Sequence, residues 1–260
     1  MNVFTTRFRT LTLLFTLLLC TGGLAQLQAQ DQGDIKFGVQ ASPTFSWMST
    51  NNNLIDGDGS NLGLKLGILG EYYFTDQYSL HSGLGFHFNA GGTLRYDEEF
   101  TRVDIWQESI DDVLPGGAAR DTSSGQGYKY SLQYLEIPIG LTLRTREFGF
   151  IKYYVRPALH LGILTQSRGE LRGNRDISDD ERFNIGPEVN ALNLSWSIGA
   201  GAEYAISEST SLVGGLSFQS GFADVTTDND TSINRPGRRA GEDDSKGRVN
   251  ALVITLGVMF

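Results

Sequence analysis

The chain has little cysteine, little histidine, an excess of negative charge and no long apolar run after its first 30 residues. Cys20 is the one cysteine in 260 residues, which excludes a disulfide framework. Leu19 precedes it and is not small, which speaks against lipid attachment at that position. There are three histidines, His81, His87 and His160. None has metal-ligand spacing on a shared element, since His81 and His87 would stand about 20 Å apart along an extended strand. No Gly-x-Ser-x-Gly elbow marks a nucleophile. No catalytic residue, cofactor or metal site is therefore expected. A formal charge of -9 argues against nucleic acid as a partner, which calls for a basic face. No later stretch approaches 18 consecutive apolar residues, so no transmembrane helix is expected. The run Asp56-Gly57-Asp58-Gly59-Ser60 resembles the opening of a calcium loop, but Gly67 stands where the closing Glu is needed. An acidic, glycine-rich turn is the better reading.

Glycine, by contrast, is abundant: 32 residues, about 12 per cent against a usual ~7 per cent. No period of three accompanies it, which excludes collagen and fits many short strands. The N-terminus reads as a secretory signal. Arg7 and Arg9 supply the positive region, and Leu11 to Leu19 an apolar core too short to span as a helix. Cleavage is expected after Ala25 or Ala29, so residues 1–29 are taken as the signal peptide and 30–260 as one domain. Removal of the two arginines takes the charge from -9 to -11.

The domain is organised around Tyr134 to Arg144, YLEIPIGLTLR. Leu135, Ile137, Ile139, Leu141 and Leu143 share one face. Tyr134, Glu136, Pro138, Gly140, Thr142 and Arg144 share the other. An aliphatic face for lipid and a mixed face for a barrel interior follow from this alternation. The Tyr-Leu-Glu-Ile-Pro run resembles the central strand of the PorT-like outer-membrane β-barrel family of Gram-negative bacteria. That resemblance implies an outer-membrane barrel, and for a few members of the family a part in protein secretion.

Eight segments carry the same period of two: about 35–48, 62–74, 78–90, 128–144, 150–165, 192–206, 211–222 and 248–260. Tyr128, Tyr130 and Leu132 are out of phase with Leu135, which predicts a bulge near Gln133. Short connections near 75–77, 145–149 and 207–210 alternate with long ones near 49–61, 91–127, 166–190 and 223–247. The pattern predicts an all-β fold, an eight-stranded antiparallel up-and-down transmembrane β-barrel with short periplasmic turns and long outer loops.

A soluble barrel would have the same period, so other features must decide. Aromatic residues on the apolar face gather toward both strand ends: Tyr72, Phe74, Tyr78 and Tyr204 on the short-turn side, Trp47, Phe86, Tyr128, Tyr130, Trp196 and Phe218 on the other. Two such girdles suit two lipid–water interfaces. The opposite face carries charge, where a lipocalin-like barrel would be apolar. Phe260 resembles the terminal signal that such barrels present to their insertion machinery. The expected location is the outer membrane, with lipid and that machinery as partners.

The inward phase predicts a buried polar network of Glu71, His81, Glu136, Arg156, His160 and Glu203. Folding the second hairpin about Asp76 puts Glu71 opposite His81 and Lys65 opposite His87. Folding the next about Phe148 puts Glu136 opposite His160. Buried charges must pair, because each unpaired ion costs several kcal/mol. Such a network is either a structural filling, a proton or solute path, or a catalytic carboxylate–His pair. In the long outer connection, Val103, Ile105, Trp106 and Ile110 sit among acids and read as a partner-docking segment, a cap or a solvated loop. Arg235, Arg238 and Arg239 are candidate contacts for lipid phosphates. The leading expectation is a non-enzymatic barrel with an anchoring, assembly or surface-binding role, possible partners being secretion or surface proteins. A lipid-modifying enzyme and a narrow solute channel are the alternatives.

Overall fold

In lipid every backbone N–H and C=O must find a partner within the protein, and a sheet achieves this only by closing. The computed structural model shows such a closure. It describes residues 34–52, 55–96, 102–104, 106, 109, 127–173, 181–227, 232–234, 241–242 and 245–260. The expected signal segment, the acidic residues between 97 and 126 apart from Asp104, and Arg235, Arg238 and Arg239 lie outside these residues.

Eight strands form the wall: β1 (Ile35–Ser49), β2 (Ile55–Thr75), β3 (Tyr78–Tyr96), β4 (Gly127–Arg144), β5 (Ile151–Arg172), β6 (Leu192–Ala205), β7 (Ser211–Gly221) and β8 (Arg248–Met259). Each pairs antiparallel with its neighbours in the chain, and β8 returns to β1 with Met259 opposite Gly38. The connections at the periplasmic end are short, as with Asp76 and Gln77 between β2 and β3. Between the outer connections, residues 102–104 pair with 232–234, which pair in turn with 241–242.

The aliphatic rows face outward. Leu62 is 65% exposed, and Ile68 and Leu159 are each 61% exposed. At the outer end Trp47, Phe218 and Trp196 form a continuous run on that face, with ring centroids 6.1 and 6.0 Å apart. At the periplasmic end Tyr72 and Phe74 meet edge to face. These are the two girdles of a lipid-embedded wall.

Three strands run further outward than the alternation predicts. β2 begins at Ile55 instead of Leu62, β3 reaches Tyr96 instead of Ala90, and β5 reaches Arg172 instead of Thr165. Beyond the lipid there is no aliphatic face to reveal the period, and backbone pairing alone continues it. The expected turn at Asp56–Ser60 is thus part of β2, opposite β3 across a bulge, with Asp58 paired to Arg95 at 2.5 Å.

The expected bulge near Gln133 needs a second correction. The register does break there, but the extra residues lie on the flanking strands. β3 gains one between His87 and Ala90, where Asn89 has φ 57°, and β5 gains one at Thr165. β4 itself runs straight, so its even-numbered face points inward throughout. Tyr128 and Tyr130 therefore belong to the interior and not to the outer girdle.

A wall of this kind makes a depth-dependent prediction. Ile68→Arg, midway along the lipid face of β2, should cost about 2–4 kcal/mol, whereas Tyr78→Arg at the periplasmic edge should cost about 0–1 kcal/mol. Urea unfolding in lipid vesicles measures both.

Candidate functional site: the barrel interior

An eight-stranded ring has an interior just wide enough to be filled by side chains. Glycines set how long the charged ones can be. A Cβ at Gly140 would lie 2.6 Å from His81, and one at Gly215 would collide with the Tyr154 hydroxyl. The space left over is taken by two ionic tiers and, above them, an apolar cap.

The lower tier, nearer the periplasm, is centred on Arg144 of β4. Its Nε donates to both carboxylate oxygens of Glu203, at 2.9 and 2.8 Å. Its Nη1 donates to Ser79 Oγ at 2.6 Å, and its Nη2 to Glu71. The guanidinium lies over the Tyr73 ring, 4.7 Å from the centroid. Arg156 closes the tier, donating from Nη2 to Glu71 Oε1 at 2.7 Å and from Nε to Thr142 Oγ1 at 3.1 Å. Thr142 Oγ1 is also 3.2 Å from His81 Nδ1.

The upper tier is centred on Glu136. Lys65 Nζ donates to Glu136 Oε2 and to Gln219 Oε1, each at 2.5 Å. His87 Nδ1 lies 3.1 Å from Glu136 Oε1, and its Nε2 3.2 Å from Thr44 Oγ1. His160 Nε2 lies 2.8 Å from Ser197 Oγ, while its Nδ1 is 3.9 Å from Glu136 Oε2. Lys65, Arg144 and Arg156 thus face Glu71, Glu136 and Glu203, and the two tiers are together neutral.

The six residues expected in one network are divided between the tiers. Glu71, Arg156 and Glu203 meet in the lower one, with His81 at its upper edge. Glu136 and His160 stand in the upper one. Lys65 and Arg144 were not among the six, although both lie on the inward phase; nothing in that phase ranks one charge above another. Glu71 does face His81, and Lys65 faces His87. The β4–β5 hairpin is centred on Gly149, at φ 67°, and not on Phe148. Glu136 consequently faces Gly162, and His160 faces Pro138.

Above the upper tier the interior turns apolar. Tyr128, Tyr130, Leu132 and Tyr134 of β4 are buried with Leu94, Leu171, Ile185, Val225 and Val249. Trp106, from the outer connection, is 1% exposed at its centre. Its ring stands edge to face with Tyr128 and Tyr130 at 5.1 and 4.8 Å, and its Nε1 donates to the Tyr130 hydroxyl at 3.1 Å. Gly169 makes room, since a Cβ there would lie 2.7 Å from the indole. Of the readings open for this segment, Trp106 favours the cap.

Ser197, His160 and Glu136 have the order of a nucleophile, base and acid. The His160–Glu136 link of that order is open, at 3.9 Å.

A family model for the outer membrane protein beta-barrel domain matches residues 25–227 of the chain. None of the curated proteins compared with it matches. Among solved structures the chain is similar to Neisserial surface protein A, at 14% identity over 86% of this chain and 95% of that one, TM-score 0.42. It is similar to a major outer membrane protein of Thermus thermophilus, at 14% identity over 87% and 99%, TM-score 0.42. It is also similar to OprG of Pseudomonas aeruginosa, at 13% identity over 90% and 99%, TM-score 0.39.

Arg144 has a side chain 1% exposed and serves two carboxylates. Arg144→Ala leaves Glu203 without its close partner and Glu71 with Arg156 alone, and should cost about 3–5 kcal/mol. Replacing the pair together, as Arg144→Met with Glu203→Gln, should cost less than the single change, because Arg156 still holds Glu71. Equilibrium unfolding of the two-residue variant beside Arg144→Ala decides this.

Proposed function

The chain belongs to the outer membrane protein beta-barrel domain family, and from that premise we propose a closed, non-enzymatic barrel that anchors an outer-surface binding or assembly role. The observation that carries this reading is the cap. Side chains from β3, β4 and β5 and Trp106 from the outer connection fill the outer mouth, so a solute entering from outside meets packed apolar groups. The ion pairs beneath it are mutually neutralised. Among the described residues, the surface offered to a partner is the one that the outer extensions of β2, β3 and β5 present above the lipid.

The finer parts of the proposal rest on sequence. The Tyr134–Pro138 run favours a PorT-like member, and with it an accessory part in secretion, the partner being a secretion or surface protein. Residues 1–29 are proposed to be a cleaved export signal. Phe260 is proposed to be read by the insertion machinery. In support, its N–H donates to Phe37 O at 2.7 Å, its carbonyl accepts from Phe37 N–H at 3.0 Å, and its ring is exposed beside the last turn of the wall.

Two measurements test this reading. Purified protein in planar bilayers should show no unitary conductance; steady unitary steps in wild type, altered by Glu136→Ala, would replace the proposal with a channel. Phe260→Ala should lower the amount of barrel reaching the outer membrane several-fold while leaving detergent refolding of the purified chain intact. Equal membrane levels would remove Phe260 from the insertion step.

A further inference from the structure

The bore is neutral, but the outward face above the lipid is not. On that face of β4 and β5, Gln133 pairs with Gln166, Ser131 with Arg168, Lys129 with Glu170 and Gly127 with Arg172. Leu135 and Ile163 are the last aliphatic pair beneath them. Lys129 Nζ donates to Glu170 Oε2 and Arg182 Nε to Glu170 Oε1, each at 2.7 Å, and Arg172 Nη2 stands 3.9 Å from Oε2. Three cations thus share one carboxylate. The partner of Arg168 is neutral: with the Gln166 amide oxygen turned toward it, Nε and Nη2 each donate at 3.0 Å. The side chains of Arg172 and Arg182 are 49% and 58% exposed. Even with Glu181, exposed beside Arg182, the cations here outnumber the carboxylates two to one.

We propose that this face binds a phosphate-bearing lipid of the outer leaflet, with its acyl chains against Leu135 and Ile163 and its headgroup against the arginines. Position selects a lipid over a soluble partner. The cations stand on the outward face of the wall, directly above residues that meet hydrocarbon, in the layer that lipid headgroups occupy. On β1, β6 and β7 the outer border is marked by Trp47, Trp196 and Phe218. On β4 and β5 it is marked by Gln133 and Gln166, and cations follow. A guanidinium fork matches phosphate oxygens in pairs. Arg168 and Arg172 are four residues apart, about 13 Å along the strand, so a headgroup with two phosphates fits better than one with a single phosphate. Glu170 is buried between them and serves to hold Lys129 and Arg182 in place. The proposal rests on the lipid-facing wall and is independent of whether the bore is closed.

Lipid retention tests this. The barrel is reconstituted in phosphatidylcholine nanodiscs containing either diphosphoryl lipid A or the same lipid stripped of its phosphates. Native mass spectrometry after transfer to detergent then counts the lipid that stays bound. Wild type should keep the diphosphoryl lipid and lose the stripped one. Arg168→Gln with Arg172→Gln should lower retention about tenfold or more. Lys36→Gln with Lys152→Gln, at the periplasmic mouth, removes the same charge and should leave retention unchanged. All four side chains lie outside the ionic tiers, and urea unfolding verifies that both variants are folded. Equal retention of the two lipids by wild type, or an equal fall in both variants, would overturn the proposal. So would inositol hexakisphosphate binding to the same arginines, in plain phosphatidylcholine discs, as tightly as the lipid does; the occupant would then be a soluble polyanion.

Discussion

The closure of the hydrogen-bonded ring governs everything else in this protein. Hydrocarbon offers no partner to a backbone amide, so β8 must return to β1, and eight strands fix a narrow bore. A bore of that width admits either side chains or very little else. Once filled with charged side chains, it must satisfy them internally, because an unpaired ion in a low-dielectric interior costs several kcal/mol. The three-to-three balance of Lys65, Arg144 and Arg156 against Glu71, Glu136 and Glu203 is therefore a consequence of closure. So is the use of glycine at Gly140 and Gly215, where a wall residue must yield to a long partner.

The polarity of the two faces inverts along the axis. Below the bulges at Asn89 and Thr165 the wall is aliphatic outside and ionic within. Above them, Arg95, Arg168 and Arg172 are exposed while Leu94, Tyr128, Leu171 and Ile185 are buried. The outer third thus follows the rule of a soluble protein, with an apolar core of its own, and the lower two-thirds the rule of a membrane wall. β4 crosses both regimes without a bulge. Its inward face runs from Arg144 through Glu136 to Tyr134, Tyr130 and Tyr128, changing character where the solvent outside changes. This inversion is what directs attention to the outer surface: the core beneath it holds that surface in shape without help from lipid.

The membrane part of this architecture was legible in the sequence because lipid imposes a strict period. Leu62, Leu64, Leu66 and Ile68 cannot alternate in that way by accident of a loop. The same period identified the inward residues, and the symmetric Asp76 turn set Glu71 opposite His81. Three things were not legible. The outer extensions lack an aliphatic face, so Asp56–Ser60 read as a turn. The bulges sit on β3 and β5, whereas the phase change is visible in β4, so Tyr128 and Tyr130 read as girdle residues. The central place of Arg144 depends on three strands meeting at one level, and no single strand's pattern contains that information. Trp106 was conspicuous only as an apolar residue among acids; its seat against Gly169 is a contact between segments far apart in the chain.

There remains the matter of why the bore is ionic, when a neutral apolar filling would avoid desolvation altogether. Replacing buried ion pairs by apolar groups is often neutral or stabilising in a soluble protein. Here the outward face is already aliphatic, and apolar residues on the inward face would turn each strand into a continuous hydrophobic run. Such runs lose the alternation that fixes register, because a one-residue slip would expose an equally apolar set. They would also leave the unfolded chain apolar over whole segments, with edges open for pairing to other copies. Charge on alternate residues prevents both outcomes. A slip of β4 by one position would put Glu136 and Arg144 into lipid, and that penalty holds the register more firmly than any apolar packing could. The ion pairs contribute less to the depth of the folded state than to its uniqueness, which is why each is anchored by a residue from a different strand.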